Sequence, residues 1–185
     1  MKNRTNRFGH GFALIGKLAA ISCVLAAAGC THAYTPNASS RMEAISPEFT
    51  ATGEIALKNA QPSDQAVVFM RNMGSKFATS LRACTDVAIT IARRELAARG
   101  MHSSDGAGKT LSLSVDSLET QVGAVKIQTQ LVLHVTTGDG YSTKYVAEND
   151  SQMMANIPRQ CNGAIMRGVK AMLSDPKIVE YLTRK

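Results

Sequence analysis

Apolar residues recur along the chain with two different periods. Leu81, Cys84, Ala88, Ile91, Ala92 and Leu96 return at three- and four-residue steps, while Arg82, Asp86, Arg93 and Arg94 fall between them. That spacing predicts an amphipathic helix over 81–99. Gly100, directly after Arg99, supplies its stop. A second helix is predicted over 158–174. Pro158 suits its first turn, and Cys161, Ile165, Val169 and Met172 share one stripe, although Gly163 and Gly168 interrupt it. Asp175-Pro176 then restarts a short helix over 177–183, with Ile178, Val179, Tyr181 and Leu182 available for packing.

Elsewhere the period is two, the signature of half-buried strands. Ile55 and Leu57 alternate with Glu54 and Lys58 within 51–58. Gln65 to Met70 is a brief β-like run, broken at Asn72-Met73-Gly74-Ser75. Leu111, Leu113 and Val115 alternate with Thr110, Ser112, Ser114 and Asp116. Val125, Ile127, Thr129, Leu131, Leu133 and Val135 form one face of the next strand, leaving His134 on the polar face. Thr137-Gly138-Asp139-Gly140 is a hairpin signal. Tyr141, Thr143, Tyr145 and Ala147 line one face of the strand 141–149 that follows. The expected fold class is α+β: an antiparallel sheet of about four strands with two main helices packed on one face.

The first thirty residues carry a different pattern. Residues 1–17 are largely basic and polar, and 18–29 are apolar and small, ending in Ala27-Ala28-Gly29 before Cys30. A helix of about twelve residues spans roughly 18 Å, short of the roughly 30 Å hydrocarbon core. This is the layout of a secretory signal peptide rather than a permanent membrane helix. Ala27-Ala28-Gly29-Cys30 resembles a bacterial lipobox, with Ala27 where Leu is commonest. That resemblance implies cleavage before Cys30, a diacylglyceride on its sulfur and a fatty acid on its amine. With Thr31 rather than Asp next in line, it also implies the outer membrane, facing the periplasm. Several acyl chains at about 0.8 kcal/mol per buried methylene make a firm anchor. The alternative is an ordinary secreted protein cut after one of the alanines. Residues 30–50, with Pro36, Pro47 and an Asn/Ser cluster, are expected to be the lipidated cysteine and a flexible tether. Residues 51–185 are expected to be one periplasmic domain.

The leader changes the reading of charge. The net charge is +7, but Lys2, Arg4, Arg7 and Lys17 precede Cys30, where there is no acid. Without them 17 bases face 14 acids, a net +3 and an ordinary solvated surface. Nucleic acid is therefore not an expected partner.

Ala98-Arg99-Gly100, the long hairpin around Gly138-Asp139-Gly140 and the closing Ile178-Val179-Glu180-Tyr181-Leu182 resemble the YajG-type family of bacterial lipoproteins, over roughly residues 51–184. The resemblance implies a lipid-anchored outer-membrane protein. It supplies no catalytic residue.

Candidate chemistry is sparse. Cys23 leaves with the signal and Cys30 carries lipid, which leaves Cys84 and Cys161 as an even pair in an oxidising compartment. A disulfide between them would stabilise by roughly 4–5 kcal/mol in the chain-entropy model; the other reading is two buried free thiols. Gly108-Lys109-Thr110 echoes the end of a P-loop, but Ser103 stands where the earlier Gly belongs and the run precedes a strand instead of a helix. No nucleotide is expected. Met70/Met73 and Met153/Met154 read as packing residues, not soft-metal ligands, and His32, His102 and His134 lack ligand spacing. No metal, cofactor or catalytic set is expected. Arg93, Arg94 and Arg99 read as a solvated flank, with acidic lipid or glycan as the other reading. The sequence thus points to a non-enzymatic, lipid-anchored lipoprotein. It would act as a binding or assembly module at the outer membrane, with an unidentified envelope protein or glycan as partner. The alternative is a ligand-binding or transport-accessory lipoprotein with an apolar pocket.

Overall fold

The computed structural model describes residues 30–38, 48–151 and 157–184. The leader expected over 1–29, the middle of the expected tether and the Met153/Met154 pair lie outside them. The order of elements is β1 (Thr31–Ala33), β2 (Gly53–Asn59), β3 (Ala66–Asn72), β4 (Ser75–Ser80), α1 (Leu81–Ala97), β5 (Met101–Ser103), β6 (Lys109–Val122), β7 (Ile127–Thr137), β8 (Ser142–Ser151), α2 (Ile157–Leu173) and α3 (Pro176–Thr183).

The fold is α+β, but the single antiparallel sheet of about four strands is replaced by two sheets. One has three strands in the order β1-β4-β3, the other five in the order β5-β2-β6-β7-β8. Both are mixed. β6, β7 and β8 form an antiparallel meander, whereas β2 runs parallel to β5 and β6, and β1 parallel to β4. The cause lies in the connection. Between β2 and β6 the chain passes through the β3–β4 hairpin and α1, and such a crossover returns it in the direction it left.

The meander is the core's floor. Ile127, Thr129, Leu131, Leu133, Val135 and Thr137 of β7 are buried, while the residues between them face outward. The Thr120 and Thr129 hydroxyls satisfy one another across the strands at 2.9 Å, so these two polar side chains are buried without an orphaned group. Both long helices pack on this sheet and on each other, burying Cys84, Ala88, Ile91, Cys161, Ile165, Val169 and Met172. The glycines that interrupt the second helical pattern explain themselves here. A Cβ at Gly163 would meet the Asn149 side-chain amide nitrogen at 2.3 Å, and one at Gly168 the Leu131 Cδ2 at 3.1 Å. Glycine lets α2 lie close against β7 and β8.

β4 answers to no expected strand, and the largest shifts in strand boundaries are around the β6–β7 turn. β6 continues to Val122 because a bulge between Val115 and Ser117 shifts its phase: Leu111, Leu113 and Val115 point inward before it, Leu118 and Thr120 after it. Strict alternation ends at Asp116 for that reason. Val125 belongs to the β6–β7 turn and is 77% exposed, instead of extending the apolar face of β7.

Candidate functional site

The N-terminal segment is where the structure departs furthest from the sequence reading. Residues 31–38 are not free tether. β1 completes the edge of the small sheet beside β4, pairing Thr31 with Lys76, His32 with Phe77 and Ala33 with Ala78. Backbone bonds extend this at both ends: the Lys76 amide donates to the Cys30 carbonyl at 2.9 Å, and the Tyr34 amide to the Ala78 carbonyl at 2.8 Å. The His32 ring stacks on Phe77 with centroids 5.0 Å apart. A three-residue strand buries little, but it covers backbone groups of β4 that would otherwise form an open edge.

Beyond β1 the segment locks onto α2. Tyr34 Oη donates to Asn162 Oδ1 at 2.5 Å and lies 3.1 Å from the Pro158 carbonyl. Asn37 and Asn162 exchange two hydrogen bonds, backbone amide to Oδ1 and Nδ2 to Oδ1, each at 3.1 Å. Pro36 is buried. The Tyr34 ring meets Phe69 of β3 at 5.7 Å, which ties the small sheet to α2 through one side chain. Burial, followed by the neighbouring Cys161 and Cys84, holds the Tyr34 phenol well above its ordinary range, so it is a fixed donor. Arg94 Nη1 reaches the Ala38 carbonyl at 3.3 Å, and the Arg99 guanidinium lies over the Phe49 ring at 5.3 Å. Both arginines also pair with Glu95. The basic flank of α1 therefore serves, at two of its three positions, to hold the chain on either side of residues 39–47.

Cys30 itself is exposed, at the start of this docked segment. Cys84 and Cys161 are both fully buried free thiols, so the bridge expected between them is not formed in the structure. Each has a hydroxyl neighbour, Thr79 at 4.0 Å from Cys84 and Thr120 beside Cys161. Burial pushes Cys84 up to about 11 and Cys161 up to about 12, so both are protonated at neutral pH and unreactive while the fold is closed.

The remaining candidates resolve into structural roles. Lys109 Nζ donates to the Leu182 carbonyl at 2.8 Å and also to the Arg184 carbonyl, stopping α3. The Thr110 amide donates to Tyr181 Oη at 2.8 Å, and the Gly138 amide to the same oxygen at 3.2 Å. The P-loop echo thus fastens the last helix to the sheet. His134 Nε2 lies 2.8 Å from Ser142 Oγ on the outer face of the meander. Met70 is buried in the core, while Met73 is 92% exposed. No group of three or more His, Cys, Asp or Glu among the described residues is arranged to hold a metal ion.

Sequence reasoning missed one polar cluster. Asp175 caps α3 by accepting from the Lys177 amide at 2.8 Å, and it accepts from Tyr145 Oη at 2.7 Å and Tyr141 Oη at 3.2 Å. Burial alone would raise its carboxyl, but these hydrogen bonds outweigh burial and hold it below the usual range. Asp175-Pro176 is legible as a helix start; its tyrosine partners, Tyr145 of β8 and Tyr141 just before that strand, lie 30 and 34 residues away, and no local signal joins them.

Neither a family model nor a curated protein matches this chain. Among solved structures it is similar to the crystal structure of protein XCC0632 from Xanthomonas campestris, of the family model DUF330. The two share 14% sequence identity, with a TM-score of 0.50 over 82% of this chain and 96% of that one. At that identity the likeness is one of fold: this chain shares its α+β architecture with a protein whose whole length the match nearly spans.

Proposed function

We propose that this chain is a lipid-anchored envelope protein of the outer membrane, acting without catalysis as a binding or assembly module, as its resemblance to YajG-type lipoproteins implies. The observation that carries the reading is the setting of Cys30. It is exposed, begins the segment that docks on β4 and α2, and in sequence directly follows the small residues Ala27-Ala28-Gly29. A modifying enzyme acting at the membrane meets an accessible thiol there, while the other two cysteines of the described residues are buried. The displaced ionisable groups support the non-catalytic side of the reading. Tyr34, Tyr145 and Asp175 each spend their hydrogen bonds fastening one element to another. Among the described residues, the space between sheet and helices where the alternative would put an apolar pocket is occupied by side chains. Leu131, Leu133, Ile165, Val169 and Met172 fill that space and are fully buried.

The test is the mass of the amino-terminal peptide of protein extracted from membranes of a Gram-negative host. It should begin at Cys30 and carry diacylglyceryl and acyl groups, and Cys30→Ser should release the protein from the outer-membrane fraction. An unmodified Cys30, or a mature start elsewhere, overturns the reading.

A further inference from the structure

The β3–β4 hairpin ends in a turn that is unusual in three respects. Its two central residues, Met73 and Gly74, both have positive φ, 45° and 79°. Such turns favour Asn or Gly at both places, and a long unbranched side chain in the left-handed region is uncommon. Met73 is also the most exposed large apolar residue among those described, at 92%. Finally, Arg71 and Lys76 stand directly opposite one another on the two strands. Like charges so placed repel, and no carboxylate among the described residues pairs with either. None of β1, β3 and β4 contains an acidic residue.

The position of Cys30 connects these features. β1 runs parallel to β4, so its first residue lies at the end of the sheet where the hairpin turns. The Lys76 amide is bonded to the Cys30 carbonyl. At about 3.3 Å per residue, Gly74 and Met73 lie only roughly 7–10 Å beyond that point. A lipid on Cys30 therefore does not hang the domain on a long leash. It brings the bilayer to this end of the small sheet.

We infer that the β3–β4 hairpin tip is a membrane-docking surface, with Met73 entering the boundary between headgroups and acyl chains while Arg71 and Lys76 meet anionic headgroups beside the Cys30 anchor. The inference rests on the lipid-anchor reading. One apolar side chain and two cations bind a bilayer weakly on their own, but next to a covalent anchor they set orientation. Apolar groups of peripheral proteins reach about 5–10 Å into the interface, which matches the reach of this turn. The like-charge pair, unfavourable in the isolated sheet, becomes favourable against an anionic surface, each cation contributing about fivefold in partitioning.

The chain contains no Trp, so a single introduced indole reports its own surroundings. Full-length protein bearing Met73→Trp is purified from membranes, its lipid on Cys30 is verified by mass, and it is reconstituted into vesicles of mixed zwitterionic and anionic phospholipid. The expected result is a blue-shifted emission that loses most of its intensity to lipids brominated near the headgroup. Asn72→Trp, at the adjoining corner, is the second probe should the strained turn reject the indole. Glu180→Trp on α3 is the control, since α3 is fastened to Thr110 and Gly138, at the end of the β6–β7 ladder away from the α2 start that holds Tyr34. It should stay unquenched. Adding Arg71→Gln and Lys76→Gln should reduce quenching of the tip probe, as should neutral vesicles. If Cys30 carries lipid and both tip probes emit as in water, the docking surface is overturned while the anchor stands. If Cys30 carries no lipid, the anchor reading fails and the inference falls with it.

Discussion

The two sheets are built on opposite principles. In the five-stranded sheet one face is closed by helices, and its inward residues Leu111, Leu113, Val115, Leu131, Leu133 and Val135 are fully buried. Its long ladders, β6 with β7 over residues 111–122 and 127–137, would hold without help from the amino terminus. The three-stranded sheet is thin. Ser75 to Ala78 are only half-buried, Val68 is 41% exposed on its outer face, and its third strand is three residues long. What holds it is a small set of directional contacts: Tyr34 and Asn37 on Asn162, the Tyr34 ring on Phe69, and His32 on Phe77. Burial is non-directional and makes the first region stable. Hydrogen bonds add little net energy but fix geometry, and the second region uses them to place Cys30 and the hairpin beside one another.

The largest loss of stability is expected in the core. Leu133→Ala should cost about 2–5 kcal/mol, because the deleted atoms leave a cavity the packed helices do not fill. Urea unfolding measures it, and a loss under about 1 kcal/mol would show that the meander is not the main source of stability. A smaller and more local effect is expected at Tyr34. Tyr34→Phe removes the donor to Asn162 and should cost about 1–2 kcal/mol, felt as opening of residues 30–38 with the main core still intact. Thiol labelling reads this directly. In the parent protein Cys84 and Cys161 should resist alkylation at pH 7–8 and react only on unfolding. In Tyr34→Phe, Cys161 should label before global unfolding. Equal labelling in both proteins would mean that the segment does not guard the thiols.

The smallest effect is pH-dependent and lies in the first region. The Asp175 carboxyl is lower in the folded protein than its unfolded value of about 3.9. Its contribution is therefore complete above that value and lost as pH falls through the folded one. Asn also caps helices well, so Asp175→Asn should be slightly less stable near neutrality. The two proteins should converge in acid, as measured by thermal melting between pH 6 and 2. A difference that widens as pH falls would contradict the hydrogen-bond account.

What was legible in the sequence follows from range. The three helices, the meander and the hairpin at Asp139-Gly140 are written in periods of two and 3.6 and in turn residues, all of which act within a few positions. The β6 bulge was not, because one extra residue in a strand simply looks like the end of the pattern. β1 and β5 were not, because three-residue strands exist only where a neighbour offers an edge. Thr31-His32-Ala33 has no strand signal of its own; it is a strand because β4 lies beside it.

For the candidate site the division is the same. The proposed lipidation at Cys30 starts from a local string, Ala27-Ala28-Gly29-Cys30, whose resemblance to a lipobox can be read without any tertiary contact. The sequence also determined the α+β class and the two apolar helix stripes, since local spacing decides them. It took the folded chain to show that Cys84 and Cys161 are free and buried, that the expected tether begins as docked chain, and that Cys30 lies at the end of the small sheet where the β3–β4 hairpin turns. These are relations between residues tens of positions apart. They depend on which surfaces meet when the chain closes, and no local pattern records that.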